Sequence, residues 1–167
     1  PFNESWGQFD TPAVVKMTRE LDPTRLVNPA SGGNFDFSCG AEGYGDIIDV
    51  HHYPCPAMNF FDRKFVNVLG EYGGIGLPVE EHTWNIDRKW GYGGTKKDSE
   101  EVMTIYEQYL DMLKVFVSTG CAAAVYTQTT DVEGEVNGLM TYDRKVIKVD
   151  IPRIAKGNKS VIASMPK

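Results

Sequence analysis

The chain has 167 residues, of which 41% are hydrophobic and 24% charged, enough to bury a core and ordinary for a globular protein. Its formal charge of −6 argues against a nucleic-acid or anionic-membrane partner, because phosphate binding is driven by clustered Lys and Arg. No apolar run approaches the roughly 20 residues of a membrane helix, so no membrane partner is expected. The chain begins at Pro1 without a Met and inside what reads as a motif, so it is taken as a piece of a longer protein. Cys39, Cys55 and Cys121 lack the paired spacing of a zinc site; one bridge, Cys39 with Cys55, stays open.

In chain order, the opening "PFNES" sets Asn3 beside Glu4. "DTPAVVKMTRELDP" (10–23) predicts a helix with Thr11 as N-cap, Pro12 in its first turn, and Val14, Val15, Met17, Thr18 and Leu21 on one face. Short apolar runs follow: "LVNPA" from Leu26, "DIIDVHHYP" from Asp46 and "FVNVLGE" from Phe65. "DSEEVMTIYEQYLDMLKVFVSTG" (98–120) predicts a long helix, starting at Asp98 or Ser99 and stopping at Gly120. Val102, Ile105, Tyr106, Tyr109, Leu110, Leu113, Phe116 and Val117 make its apolar face. "CAAAVYTQ" from Cys121 is another strand, and a weaker helix runs from about Asp150 to Ala163 with Pro152 near its start. The runs are continuously apolar rather than alternating, which predicts buried strands in parallel pairing, and the alternation of elements is that of an α/β protein. Polar and aromatic residues collect in long loops just after the strands, and such loops inside a compact domain are usually functional.

One position in these loops stands out. In "FVNVLGEYGGIG" (65–76) the apolar run ends at Gly70 and a lone carboxylate, Glu71, follows. Asn3-Glu4 at one strand end and Glu71 at another make a pair of candidate reacting acids. Taken together, "PFNESWGQFDT", "LDPTRLVNPASG", "DIIDVHHYP", "VLGEYGGIGLP" and "AAAVYTQTTDVEGEVNGLMTYDR" resemble glycoside hydrolase family 2, which includes β-galactosidases, β-mannosidases and β-glucuronidases. The resemblance covers nearly the whole chain. It implies part of a TIM (β/α)8 barrel, roughly strands four to eight, spanning residues 1–167 as the C-terminal portion of a catalytic domain. It implies Glu4 as general acid/base and Glu71 as nucleophile of a retaining exo-β-glycosidase, a β-galactosidase first, acting on terminal β-linked carbohydrate. No cofactor and no metal are expected. The isolated piece is expected to be inactive and to associate with itself through an open barrel edge. A periplasmic or extracellular setting is what the family suggests.

The chemistry suits the residue types. Retaining hydrolysis needs two carboxyls about 5–5.5 Å apart, one ionised to attack and one protonated to release the leaving oxygen. Two carboxylates that close repel when both are charged, so the pair favours holding one proton. The resemblance further implies Asn3 as a partner of the sugar 2-hydroxyl and Tyr53 as a phenol beside the nucleophile. It puts Tyr126 where many relatives have a tryptophan floor for the sugar ring. His51 and His52 are adjacent on a strand and point to opposite faces, so one faces the site and the other is structural; His52 is carried as the substrate-facing one. Trp84, Trp90 and Tyr92 either stack on sugars, with Trp84 the candidate platform, or pack their loop down. "DVEGEVNG" (131–138) fails as an EF-hand loop, since Val136 occupies the required glycine position. "YGGIG" and "GYGGTK" match neither dinucleotide nor P-loop spacing. The alternative from another class is a non-catalytic carbohydrate-binding or pseudo-enzyme domain on the same scaffold.

Overall fold

The computed structural model describes residues 1–33 and 45–166; Cys39, and with it the Cys39–Cys55 pairing, lies outside the described residues. The elements are β1 (Phe2–Asn3), α1 (Thr11–Leu21), β2 (Ala30–Ser31), β3 (Ile47–His52), β4 (Val66–Gly73), α2 (Ser99–Thr119), β5 (Cys121–Thr127) and α3 (Ile151–Ile162). The chain is thus α/β. Among the described residues all strand pairs are parallel, in two sheets of order β1-β2 and β3-β4-β5. Parallel pairing has a functional consequence: each sheet sends all its C-terminal strand ends to one side.

The long helices form where their ends are capped. Asp98 accepts the Glu101 amide at 2.9 Å before α2, and Gly120 closes it in the left-handed region at φ 115°. Asp150 does the same for α3, accepting the Arg153 amide at 3.0 Å. α2 buries Val102, Met103, Tyr106, Tyr109, Leu110 and Leu113 against Leu69 and Tyr72 of β4 and Ile154 of α3. Each such side chain contributes about 1.5–3 kcal/mol of transfer free energy. This layer is the core, and it backs the sheet whose far end carries the site.

Four expectations are corrected. The N-cap position of α1 is Asp10, not Thr11, and its side chain makes no capping bond; Thr11 instead donates to Gln8 Oε1 at 2.9 Å. Of the predicted α1 face only Val15 is buried, joined by Thr11, while Met17 and Leu21 are exposed. The run from Leu26 shortens to Ala30–Ser31, because Pro29 has no amide for a ladder and Val27 is held by Asp46 instead: the Val27 amide donates to Asp46 Oδ2 and the Val27 carbonyl accepts from the Asp46 amide, both at 2.8 Å. β5 is not buried along its length either. Ala122 to Val125 are exposed, since β5 is an edge of its sheet with β4 on one side and no strand on the other among the described residues.

Candidate active site

Glu4 follows β1 directly. Its backbone is fixed from both sides, the amide donating to Ser31 O and the carbonyl accepting Gln8 Nε2, each at 2.6 Å. Its φ of 53° is a left-handed conformation that a non-glycine residue holds only under such restraint. Glu71 lies within the last turns of β4, before the strand ends at Gly73, and pairs in register with His51 of β3.

The two carboxylates meet at His51. Its Nδ1 stands 3.1 Å from Glu4 Oε1 and 3.4 Å from Glu71 Oε2. The imidazole is buried, while the carboxylates it touches are partly open to solvent. One ligand atom each from Glu4, His51 and Glu71 all lie within 4.8 Å of one another, so the carboxyls are close enough to share a small reacting group. The same three groups could also hold a divalent cation.

Behind the ring a chain of hydrogen bonds fixes its orientation. His51 Nε2 is 2.8 Å from Ser31 Oγ, and Ser31 donates to Asp49 Oδ2 at 2.7 Å. Asp49 is buried and also accepts Asn28 Nδ2 and the Gly70 amide, each at 2.7 Å. With the Ser31 hydrogen given to Asp49, the remaining role of Ser31 Oγ is to accept from Nε2–H. Nδ1 then faces the acids either with its lone pair, accepting from a protonated carboxyl, or as the second N–H of an imidazolium. Close packing demands glycine twice here. A Cβ on Gly32, at φ +75°, would sit 2.3 Å from the His51 ring, and one on Gly70 would sit 2.1 Å from Asp49 Oδ1.

Tyr53 supplies the second contact to Glu71. Its hydroxyl lies 2.6 Å from Glu71 Oε2, to which it donates, and 2.6 Å from Thr127 Oγ1 at the end of β5. Burial, then the hydrogen bond to Glu71, pushes the phenol well above its ordinary range, so it stays a donor. Tyr92 stacks on it, ring centroids 3.7 Å apart and planes 9° apart, and Trp90 meets Tyr92 edge-on at 5.2 Å. The loop after β4 thus reaches the site through Tyr92.

Other predicted positions fall elsewhere. His52 points to the opposite face and its Nδ1 engages the Cys55 carbonyl at 2.8 Å; strand alternation puts His51 and Tyr53 together and turns His52 away. Tyr126 is not a platform. Its ring packs among Tyr72 and Tyr106, and its oxygen accepts the Ile75 amide at 3.3 Å. Trp84 is largely exposed and meets Tyr142 edge-on at 5.2 Å. Asn3 is exposed beside Glu4, in register with Ser31. The sequence pointed to His52 rather than His51 as the site-facing histidine, which the structure reverses, and gave no sign of Ser31, Asp49 or Thr127. The two-residue spacing of His51 and Tyr53 on a strand was the available signal for His51. No protein-family model matches the chain, and no curated protein matches it significantly.

Proposed function

We propose that this chain is the C-terminal portion of a retaining exo-β-glycosidase catalytic domain, strands four to eight of a (β/α)8 barrel, hydrolysing terminal β-galactosides. The observation that carries the proposal is the convergence of Glu4 and Glu71 on His51 Nδ1, with Tyr53 donating to Glu71. The resemblance of five ordered sequence blocks to glycoside hydrolase family 2 supports it.

In the first step the Glu71 carboxylate attacks the anomeric carbon as the glycosidic C–O bond breaks, and Glu4 gives its proton to the departing oxygen. The product is a sugar ester of Glu71. Glu71 is then neutral, its repulsion on Glu4 is gone, and ionised Glu4 takes a proton from water as that water attacks the anomeric carbon. Glu71 leaves as carboxylate, and the proton gained by Glu4 restores the starting state. Tyr53 donates a hydrogen bond to the Glu71 carboxylate at both ends of the cycle, and the resemblance assigns Asn3 to the 2-hydroxyl. The open edge of β5 is where the rest of the barrel, or a second copy of the chain, would pair.

The test uses the full-length protein on chromogenic β-galactoside, β-glucuronide and β-mannoside, beside Glu4→Gln and Glu71→Gln. Turnover with retained anomeric configuration, lost in Glu71→Gln and slowed by at least about a hundredfold in Glu4→Gln, is the expected result. Sugar binding without turnover in the wild type assigns a binding module instead. Turnover abolished by a chelator and restored by a divalent cation assigns Glu4, His51 and Glu71 to a metal.

A further inference from the structure

A third carboxylate, like Glu71 and Glu4, lies near enough to Tyr92 for its charge to act on that ring. Glu135 lies in the loop after β5, and its backbone runs beside Trp90: the Trp90 amide donates to Gly134 O at 2.8 Å, and the Val136 amide donates to Trp90 O at 2.9 Å. Trp90 contacts Tyr92, Tyr92 stacks on Tyr53, and Tyr53 bonds Glu71. From the other side, Thr127 bonds Tyr53, and its neighbour Gln128 reaches Glu135. Two independent paths therefore tie Glu135 to the rim of the acid pair.

Its bonding is one-sided. Glu135 Oε2 accepts Gln128 Nε2 at 3.0 Å and Asn137 Nδ2 at 3.2 Å, while Gln128 Nε2 also donates to Asn137 Oδ1 at 2.6 Å. Asn137 is fully buried, so the clamp on Glu135 is rigid. The other oxygen, Oε1, has no hydrogen-bond partner and the carboxylate no ion-pair partner among the described residues, and the side chain is half-exposed. The charges of Glu135, Glu71 and Glu4, after burial, all push the Tyr92 phenol up, which agrees with three acids sharing one rim.

We infer that Glu135, clamped by Gln128 and Asn137, binds sugar hydroxyls through Oε1 and fits the pocket to neutral sugars while rejecting uronates. A fixed acceptor-only carboxylate suits hydroxyl donors, since charge-assisted bonds are the stronger kind. A substrate carboxylate entering there would meet three acids with no Lys or Arg ion-paired to them among the described residues, and like charge at a recognition surface excludes the wrong partner. The assignment rests on the proposed glycosidase activity for its kinetic form, and on sugar binding alone for its equilibrium form.

The experiment compares wild type, Glu135→Gln and Glu135→Ala in the full-length protein. Kinetics are measured on p-nitrophenyl β-galactoside and β-glucuronide, and galactose and glucuronate are titrated calorimetrically. Glu135→Ala should raise KM for the galactoside by about tenfold or more, with a smaller effect on kcat. Glu135→Gln keeps an acceptor but removes the charge, and should narrow the galactoside-over-glucuronide ratio of kcat/KM by about tenfold. Wild-type binding that favours galactose, with the preference lost in Glu135→Gln, supports the inference even without turnover. Wild-type turnover with KM and ratio unchanged in both variants overturns it and leaves the glycosidase proposal standing. A wild type that neither binds nor turns over either sugar overturns both.

Discussion

The Tyr53 hydroxyl sits between Glu71 and Thr127 with 2.6 Å contacts to each, and it makes the smallest separable change in the site. A hydrogen bond to a charged group is worth about 1.5–3 kcal/mol, so Tyr53→Phe should lower kcat by about 10- to 150-fold in the full-length protein while the urea midpoint moves little. Asp143 gives a residue-scale prediction independent of function. Thr141 Oγ1 donates to it at 2.6 Å, and His82 lies 2.8 Å away; these bonds, Thr141 first, hold its carboxyl well below the usual range. An acid depressed on folding contributes stability above its unfolded range, near pH 4, and loses it as pH falls through the folded value. The stability gap between wild type and Asp143→Asn, read as urea midpoints at pH 7, 5 and 3, should therefore shrink with acid. At this scale Glu4, Glu71 and Tyr53 were legible as a set only through the resemblance of five ordered blocks to a family, since no local pattern in the sequence joins residues 4, 53 and 71. Tyr126 was not. Whether β5 offers residue 126 or 127 to the pocket depends on its register, and only Thr127 shares the Tyr53 side.

Between elements, a buried cation joins the two long loops that shape the rim. Lys148 Nζ donates to Asp131 Oδ1 at 2.6 Å and to the carbonyls of Leu77 and Val136 at 2.9 Å each. Burial pushes the Asp131 carboxyl up and the Lys148 ammonium down, and their mutual bond opposes both shifts. Lys148→Met would leave Asp131 and two carbonyls buried without the ammonium, and breaking such a pair costs about 3–5 kcal/mol. Chemical denaturation of wild type and variant checks this; a loss under 1 kcal/mol would mean the pair contributes little. Neither partner stood out in the sequence, because a lysine 17 positions from an aspartate carries no local pattern. The helices α2 and α3 were legible for the opposite reason: Asp98, Gly120 and Asp150 are local signals, and the 3.6-residue period is local too. α1 misled because its apolar residues have no second layer to cover them among the described residues.

Across the whole molecule, parallel pairing decides where chemistry can happen. β1 and β2 deliver Glu4 and Ser31, and β3, β4 and β5 deliver His51, Glu71 and Thr127, so that residues from five strands surround one acid pair. The α/β class was legible because continuous apolar runs and helix periods are sequence properties. The partial (β/α)8 barrel that the resemblance implies is not seen in the two small sheets of the described residues, and strand pairing partners carry no local mark in a sequence. The most direct measurement of the central claim is to inactivate the full-length protein with a 2-deoxy-2-fluoro-β-galactosyl fluoride and map the modified peptide by mass spectrometry. The account predicts a sugar ester on Glu71, formed more slowly in Tyr53→Phe and absent in Glu71→Gln. A label on any other residue, or wild-type turnover in Glu71→Gln, would contradict it.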